Sequence, residues 1–281
     1  MNNKERFSFS KLSTFHECKQ QYYLQYILKI EQRENIYSNL GSVIHNILEE
    51  RQEKREYNID NDIKKFKDEV DMSEIFGIDF PNDKIKDDYI KCIIHCLQTL
   101  EPFKEEVEIE KELDFEIGGI PIVGYVDCIV KNNDGTIDIY DYKTSSLYSK
   151  KNLEEKSLQL ILYAIGLEKL GYKINKIAWI FLKYVTIQGI RKEKNIKRSE
   201  LDEEEFKPCI YEWNYNEEEK QRAINWVIDT VKEINKCKEN NEWESKQITR
   251  YNSFGCSQIC SVCGKCEALK QFKKDFKNFN R

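Results

Sequence analysis

The sequence predicts an α/β fold in which a mixed β-sheet is flanked by helices. Three observations support this prediction. Apolar residues recur at helical spacing near the N-terminus, alternating strand patterns begin at about Val107, and an apolar helix then leads into a further strand. This order of helices, strands, helix and strand is typical of a sheet covered by helices.

The N-terminal part is predicted to be helical. Ser10 can cap a first helix that runs to about Leu28, and a second helix starts near Ser38. Residues 58–100 have the pattern of a helical insert with a turn around Phe80-Pro81-Asn82.

His45 lies beside the apolar stripe of the second helix, and Glu49 follows one turn later on the same face. A histidine in such a place is more often a hydrogen-bonded core residue than a ligand. Gly41, one turn earlier, would allow a backbone to approach closely. Together with two aspartates, His45 would make an oxygen-rich site suited to Mg²⁺ or Mn²⁺.

The two aspartates lie in the most informative stretch of the chain, which runs from Gly124 to Ser146. Asn133-Asp134-Gly135 between two strand patterns predicts a hairpin, and a three-residue loop would set Asp127 opposite Asp141. Lys143 shares the face of Asp141 because strand side chains alternate. Such a charged end of an apolar face favours either a metal site with an activated water, suited to phosphodiester cleavage, or a buried salt bridge between Lys143 and one aspartate.

Gln159 and Tyr163 lie four residues apart on the helix predicted to follow Lys143. They are expected either to cap the core as a partly buried polar pair or to reach a phosphate near the metal. The remaining elements predicted are a helix at 153–170, strands at 176–186 and 206–215, an exposed loop at 188–205 and a helix at 217–238.

Four cysteines fall close together near the C-terminus, at Cys256, Cys260, Cys263 and Cys266. In a reducing compartment this density indicates a metal site. The four can close a zinc site, or some of them can join Cys18 in an iron–sulfur cluster that links the two ends of the chain.

Composition narrows the class of protein. The chain has 281 residues, a net charge of −5 and no apolar run long enough to span a bilayer, so a cytoplasmic location without membrane contact is expected. DNA binding would need a local basic surface, and the candidates are the run at 191–198 and the tail at 265–281. The alternative for the tail is a solvated helix face that docks its phenylalanines on the core.

Five motifs in order resemble a known family. They are the first helix with Cys18, GSVIHNILEE with His45, GYVDCIV with Asp127, DYKTSS with Asp141 and Lys143, and QLILY with Gln159 and Tyr163. The chain resembles RecB-like nucleases of the PD-(D/E)XK superfamily, including CRISPR-associated exonucleases and the AddB nuclease domain. The resemblance implies a restriction-endonuclease-like core with N-terminal helices and a C-terminal cysteine segment.

The resemblance also implies roles. Mg²⁺ or Mn²⁺ would be held by His45, Asp127, Asp141 and the backbone carbonyl of Tyr142. Lys143 would orient the attacking water and stabilise charge on the phosphate. Gln159 and Tyr163 would position the DNA backbone. The expected activity is a deoxyribonuclease, an exonuclease on single-stranded DNA or DNA ends, with a helicase, recombination or CRISPR protein as a possible partner.

A four-iron, four-sulfur cluster is implied with Cys18, Cys256, Cys260 and Cys266 as ligands. The spacing here has one extra residue in the first gap, which leaves Cys263 as an alternative ligand and structural zinc as an alternative metal. One nuclease domain over 1–281 is expected, with the insert at 58–100, the catalytic core at 101–187 and the cysteine cluster and tail at 250–281. A silent nucleic-acid-binding module and a zinc-stabilised interaction protein are the alternatives.

Overall fold

The computed structural model describes residues 5–55, 57–183 and 209–279. These residues form two compact units, each described separately below. The sheet unit comprises 36–115 and 123–223, and the cysteine unit comprises 1–35, 116–122 and 224–281. The predicted loop at 188–205 and its basic run at 191–198 lie outside the described residues.

The helices and strands follow one another in the predicted order. The helices are α1 (Phe9–Glu17), α2 (Lys19–Tyr22), α3 (Ile36–Lys54), α4 (Ile59–Ile75), α5 (Asp83–Thr99), α6 (Lys150–Lys169), α7 (Glu217–Asn240) and α8 (Glu267–Phe279). The strands are β1 (Glu106–Ile117), β2 (Ile120–Lys131), β3 (Thr136–Lys143), β4 (Lys173–Phe181) and β5 (Cys209–Trp213).

The sheet is mixed, as predicted. Its strand order is β1-β2-β3-β4-β5, with β3 and β4 parallel and the pairs β2–β3 and β4–β5 antiparallel. Parallel pairing of β3 and β4 requires a crossover, and α6 provides it. The chain therefore has the α/β architecture that its sequence predicts.

One face of the sheet packs on α3, α4 and α5 of the sheet unit. Alternate residues of β2, β3 and β4 enter this core, including Cys128, Tyr140, Tyr142 and Ile180. Helix α6 packs against β3 and β4 and is buried along most of its length. Lys143 contacts α6, so the Asp141 and Lys143 face of β3 is the face that α6 covers.

The insert at 58–100 consists of α4 and α5. Asn58 and Asn82 cap them, since each side-chain oxygen accepts a backbone N–H three residues later. This part of the sequence therefore forms helices around the predicted turn.

The first helix differs from the expectation in two respects. Its cap is Ser8, whose hydroxyl accepts the Lys11 amide at 3.2 Å, and not Ser10. It also ends at Glu17, because Cys18 has an extended backbone (φ −163°, ψ 107°), and the chain continues through α2 and a π-helical turn at Tyr23–Ile27. The Cys18 thiol thus lies at a break between helices.

Candidate active site

The hairpin between β2 and β3 sets the register of the site. The Asn132 amide donates to the Thr136 carbonyl at 2.9 Å, and Gly135 has φ +82°, so the loop has three residues, the length that would set Asp127 opposite Asp141. A residue at this loop position needs a positive φ, which glycine adopts without strain. Pairing then runs from Lys131–Ile137 to Cys128–Tyr140, and the next position sets Asp127 opposite Asp141.

The Asp127 side chain links β2 to β3 just beyond their last paired residues. Its Oδ2 accepts the Tyr142 backbone N–H at 2.8 Å. The same oxygen lies 3.5 Å from His45 Nδ1, which α3 brings to the site. His45 also makes a backbone hydrogen bond with Tyr142. An aspartate, an imidazole and a strand backbone therefore meet at one point.

Lys143 connects Asp141 to helix α6. Its Nζ lies 2.5 Å from Asp141 Oδ2 and donates to Gln159 Oε1 at 3.3 Å. Gln159 Nε2 in turn donates to the Tyr163 hydroxyl at 2.9 Å. The structure thus joins Asp141, Lys143, Gln159 and Tyr163 in one chain of contacts. It also contains the salt bridge between Lys143 and one aspartate that the sequence offers as the alternative to a metal site.

Tyr163 lies against the strand that carries Asp127. A Cβ atom added at Gly124 would be 2.8 Å from Tyr163 Cε1, closer than carbon atoms approach without strain. Gly124 is therefore needed for the ring to pack where it does. Gly41 is different, because a Cβ there would lie 3.7 Å from Thr144 Oγ1, which is an ordinary contact. The close approach expected at Gly41 is therefore not required.

Burial and like charge dominate the electrostatics of the site. Burial and the neighbouring Asp141 raise the pKa of Asp127 well above its ordinary value, although Lys143 and the Tyr142 amide oppose the shift. Burial would lower the pKa of Lys143, but Asp141 and Tyr148 raise it on balance, so the ammonium stays charged. Burial lowers the pKa of His45, which favours the neutral imidazole.

Glu49 adds a third carboxyl group to the site, beside those of Asp127 and Asp141. Burial, the charges of Glu110 and Glu53, and a hydrogen bond with Glu110 raise the pKa of Glu49 to about 7. Glu110 lies in β1 with φ +48°. Sequence reasoning does not single out Glu110, because it follows the alternating acidic pattern of an exposed strand.

These donors suit a divalent cation. Asp127 and Asp141 are close and largely withdrawn from water, so charging both is costly unless a cation lies between them. A neutral imidazole and carboxylate oxygens are ligands that Mg²⁺ and Mn²⁺ accept. Among the described residues, no group of three or more histidine, cysteine, aspartate or glutamate side chains is already arranged to hold a metal. Lys143 at present contacts the carboxylate of Asp141.

The cysteine unit brings four predicted ligands around one cavity. The cavity has a volume of about 210 Å³, and its lining includes Cys18, Cys256, Cys260 and Cys266. Cys263 is not part of this lining. Burial raises the pKa of Cys256, and it raises the pKa of Cys260 to about 11, so these thiols hold their protons when no metal is bound.

The C-terminal tail is helical from Glu267 to Phe279. Leu269 is buried, and Lys270 forms an ion pair with Glu267 at 2.5 Å, so part of the tail packs and part is solvated. Within the part of the chain that the structure describes, no helix is both long and apolar enough to cross a membrane.

Comparisons with known proteins identify several relatives. Three proteins from Streptococcus agalactiae serotypes Ia, V and III, each described as a subunit of an ATP-dependent helicase/deoxyribonuclease, are 25% identical to the chain over 153 residues. The match covers 50% of this chain and 14% of each relative. The crystal structure of a protein called SSO0001 covers 96% of this chain and 89% of its own at 14% identity, with a TM-score of 0.40.

A family model described as the PD-(D/E)XK nuclease superfamily matches residues 6–268, which is most of the chain. Nucleases of this kind typically use divalent metals such as Mg²⁺. The match includes the stretch from Asp127 to Lys143 and the mixed sheet on which it lies. The chain belongs to the PD-(D/E)XK nuclease superfamily.

Proposed function

We propose that this protein is a metal-dependent deoxyribonuclease that hydrolyses phosphodiester bonds in its sheet unit. The observation that supports this most strongly is the meeting of Asp127, Asp141 and Lys143 where β2 and β3 stop pairing, with His45 alongside. A purely structural salt bridge would need one aspartate. The second aspartate raises the electrostatic cost of the site, which a cation would relieve.

His45, Asp127, Asp141 and the Tyr142 backbone carbonyl would hold Mg²⁺ or Mn²⁺. When bound, the cation would polarise the scissile phosphate and lower the pKa of a water molecule. Lys143 stays charged beside Asp141, so it can orient that water and stabilise negative charge as it develops on the phosphate.

Gln159 and Tyr163 would position the DNA backbone. Gln159 already contacts both Lys143 and the Tyr163 hydroxyl, so a phosphate bound by this pair would lie close to the lysine. We propose an exonuclease that acts on single-stranded DNA or on DNA ends. A relative whose name joins a helicase to a deoxyribonuclease supports a helicase partner, and a recombination or CRISPR protein is a further candidate. Repair, CRISPR adaptation and phage DNA processing are the pathways that fit this activity.

In the cysteine unit we propose a four-iron, four-sulfur cluster held by Cys18, Cys256, Cys260 and Cys266. The shared cavity supports this set of ligands, and it disfavours Cys263. The chain would then be one nuclease domain whose cluster has a structural role. Structural zinc remains the alternative, and metal analysis with the visible absorption of anaerobically purified protein separates the two. We propose a cytoplasmic location, where a reducing environment would keep these cysteines available as metal ligands.

The role of Lys143 can be tested by Lys143→Ala. We expect the variant to bind Mn²⁺ and DNA but to lose cleavage by about a hundredfold or more, because charge on the phosphate is no longer stabilised. Lys176→Ala is the matched control, since Lys176 pairs with the carboxylate of Asp138 at 3.2 Å in the same sheet. If Lys143→Ala cleaved DNA as fast as the control, the proposed role of the lysine would be wrong.

A further inference from the structure

Tyr142 lies between Asp141 and Lys143 in β3, yet its side chain points to the opposite face of the sheet. It is 1% exposed and belongs to the core formed with α3, α4 and α5. Its backbone N–H donates to Asp127 Oδ2 at 2.8 Å. Any movement of Tyr142 along or across the strand would therefore move the hydrogen bond that orients Asp127.

The ring of Tyr142 also supports His45. The two rings meet edge to face, with centroids 6.0 Å apart and planes at 81°. Such an arrangement is favourable for aromatic pairs and restricts the tilt of the imidazole. Tyr142 thus contacts two of the proposed metal ligands, Asp127 through its backbone and His45 through both its backbone and its ring.

Gln52 fixes the far end of this side chain. Gln52 is 5% exposed, and its Nε2 donates to the Tyr142 hydroxyl at 3.3 Å. Its Oε1 accepts the Phe103 backbone N–H at 3.0 Å, so both ends of the amide are occupied. The Tyr142 hydroxyl is also hydrogen-bonded to the Cys128 thiol. A buried amide with both ends bonded has little freedom to move, since breaking either bond leaves an unsatisfied group.

Gln52 lies on the same helix as His45, seven residues further along α3. Residues separated by seven positions share a helix face, so α3 presents both His45 and Gln52 to β3. His45 is a proposed ligand, and Gln52 holds the Tyr142 side chain that packs against it. Residues that orient metal ligands are commonly as sensitive to change as the ligands themselves.

We propose that Tyr142, held by Gln52, is a positioning residue that sets the geometry of Asp127 and His45 for the cation. This inference rests on the proposed function. It predicts that the hydroxyl of Tyr142, which touches neither ligand, controls metal affinity through its bond to Gln52.

Titration of Mn²⁺ into purified Tyr142→Phe, followed by calorimetry, tests the proposal. We expect the dissociation constant to rise about tenfold or more, within the range usual for groups behind a metal ligand. The matched control is Tyr140→Phe, since Tyr140 lies on the same strand and face and its hydroxyl contacts Asp138 at 3.5 Å. The control should bind Mn²⁺ within about twofold of wild type.

Gln52→Met provides a second, independent variant. It should also weaken Mn²⁺ binding, and the double variant should lose less affinity than the two single losses combined, because both changes break the shared bond between Gln52 and Tyr142. High Mn²⁺ should restore cleavage in each variant while KM for DNA stays unchanged. The variants are compared at a temperature at which each is folded without metal, because Mn²⁺ would also rescue a merely destabilised protein by binding its folded state.

The outcomes distinguish failure of the positioning role of Tyr142 from failure of the proposed nuclease function. If Tyr142→Phe and Gln52→Met bound Mn²⁺ as tightly as Tyr140→Phe while the wild type bound and cleaved, the positioning role would be wrong and the proposed function would stand. If the wild-type protein neither bound Mn²⁺ nor cleaved DNA, the proposed function would fail, and this inference with it.

Discussion

Replacement of Gly124 by alanine should damage cleavage more than it damages the fold. The added Cβ would lie 2.8 Å from Tyr163 Cε1, whereas carbon atoms pack at about 3.5–4.0 Å, so the ring must move by about 0.7 Å or more. The hydrogen bond from Gln159 to the Tyr163 hydroxyl, now 2.9 Å, would then stretch beyond good geometry. Overpacking of this kind costs about 1–3 kcal/mol of stability.

The effect on cleavage should be larger because Tyr163 is proposed to position the DNA backbone. A displacement of about 1 Å in a positioning group can lower the rate about a hundredfold. The assay is the cleavage rate of end-labelled single-stranded DNA at saturating Mn²⁺, measured beside thermal unfolding of the same preparation.

Gly166→Ala is the matched control. Its added Cβ would lie 2.7 Å from Phe115 Cε1, so it overpacks an aromatic ring to a similar degree in the same unit, but Phe115 has no proposed role in cleavage. Gly166 lies in α6, where alanine is favoured by about 1 kcal/mol, which offsets part of the loss. If both variants lost stability and both cleaved at near the wild-type rate, the proposed role of Tyr163 would be refuted.

Three other predictions concern the proposed metal sites and the hairpin. Because the pKa of Asp127 is raised in the folded state, ionising it should cost the metal-free protein stability as the pH rises above the unfolded value of about 4, so the wild type should lose stability relative to Asp127→Asn in pH-dependent melting. Cys260→Ser should abolish iron incorporation, measured by metal content and visible absorption, whereas Cys263→Ser should keep it, because Cys263 does not line the cavity. Gly135→Ala should lower the free energy of unfolding by about 1–2 kcal/mol in denaturant titrations, because φ is +82° there. Equal iron content in the two cysteine variants, or an unchanged unfolding midpoint for Gly135→Ala, would contradict the last two.

The parts of the fold that depend on local chemistry could be predicted from the sequence. The hairpin follows from Asn133-Asp134-Gly135, which makes Asp127 and Asp141 neighbours, and the structure adds the three-residue loop that sets them opposite each other. The mixed sheet follows from the order of the elements. The start of α5 directly after the predicted turn follows from the capping side chain of Asn82.

Other features depend on contacts between distant residues and could not be predicted from the chain. Gln52 and Tyr142 are 90 positions apart, and only the fold brings their side chains together. The break at Cys18 is hidden in the sequence because apolar spacing continues through it. Ser8 and Ser10 have the same local chemistry, and the choice of Ser8 as the cap depends on where the extended chain ends, since Phe7 pairs with Ile122 in the cysteine unit.

The candidate site combines both kinds of information. The aspartates and Lys143 are visible as a pattern, and the structure shows how they contact His45 and Gln159. In the sequence, Glu49 stands out only as a neighbour of His45. Spacing of four and seven residues from His45 would have pointed to Glu49 and Gln52 together, because all three share one face of α3.

The most direct test of the central claim is cleavage of end-labelled single-stranded DNA by anaerobically purified protein, with Mn²⁺, with Mg²⁺ and with EDTA, beside Asp141→Ala. We predict cutting that requires the metal and disappears in the variant, with the labelled ends showing the polarity. Bound but uncut DNA under every condition, or equal cutting by Asp141→Ala, would contradict the assignment of this site as a nuclease centre.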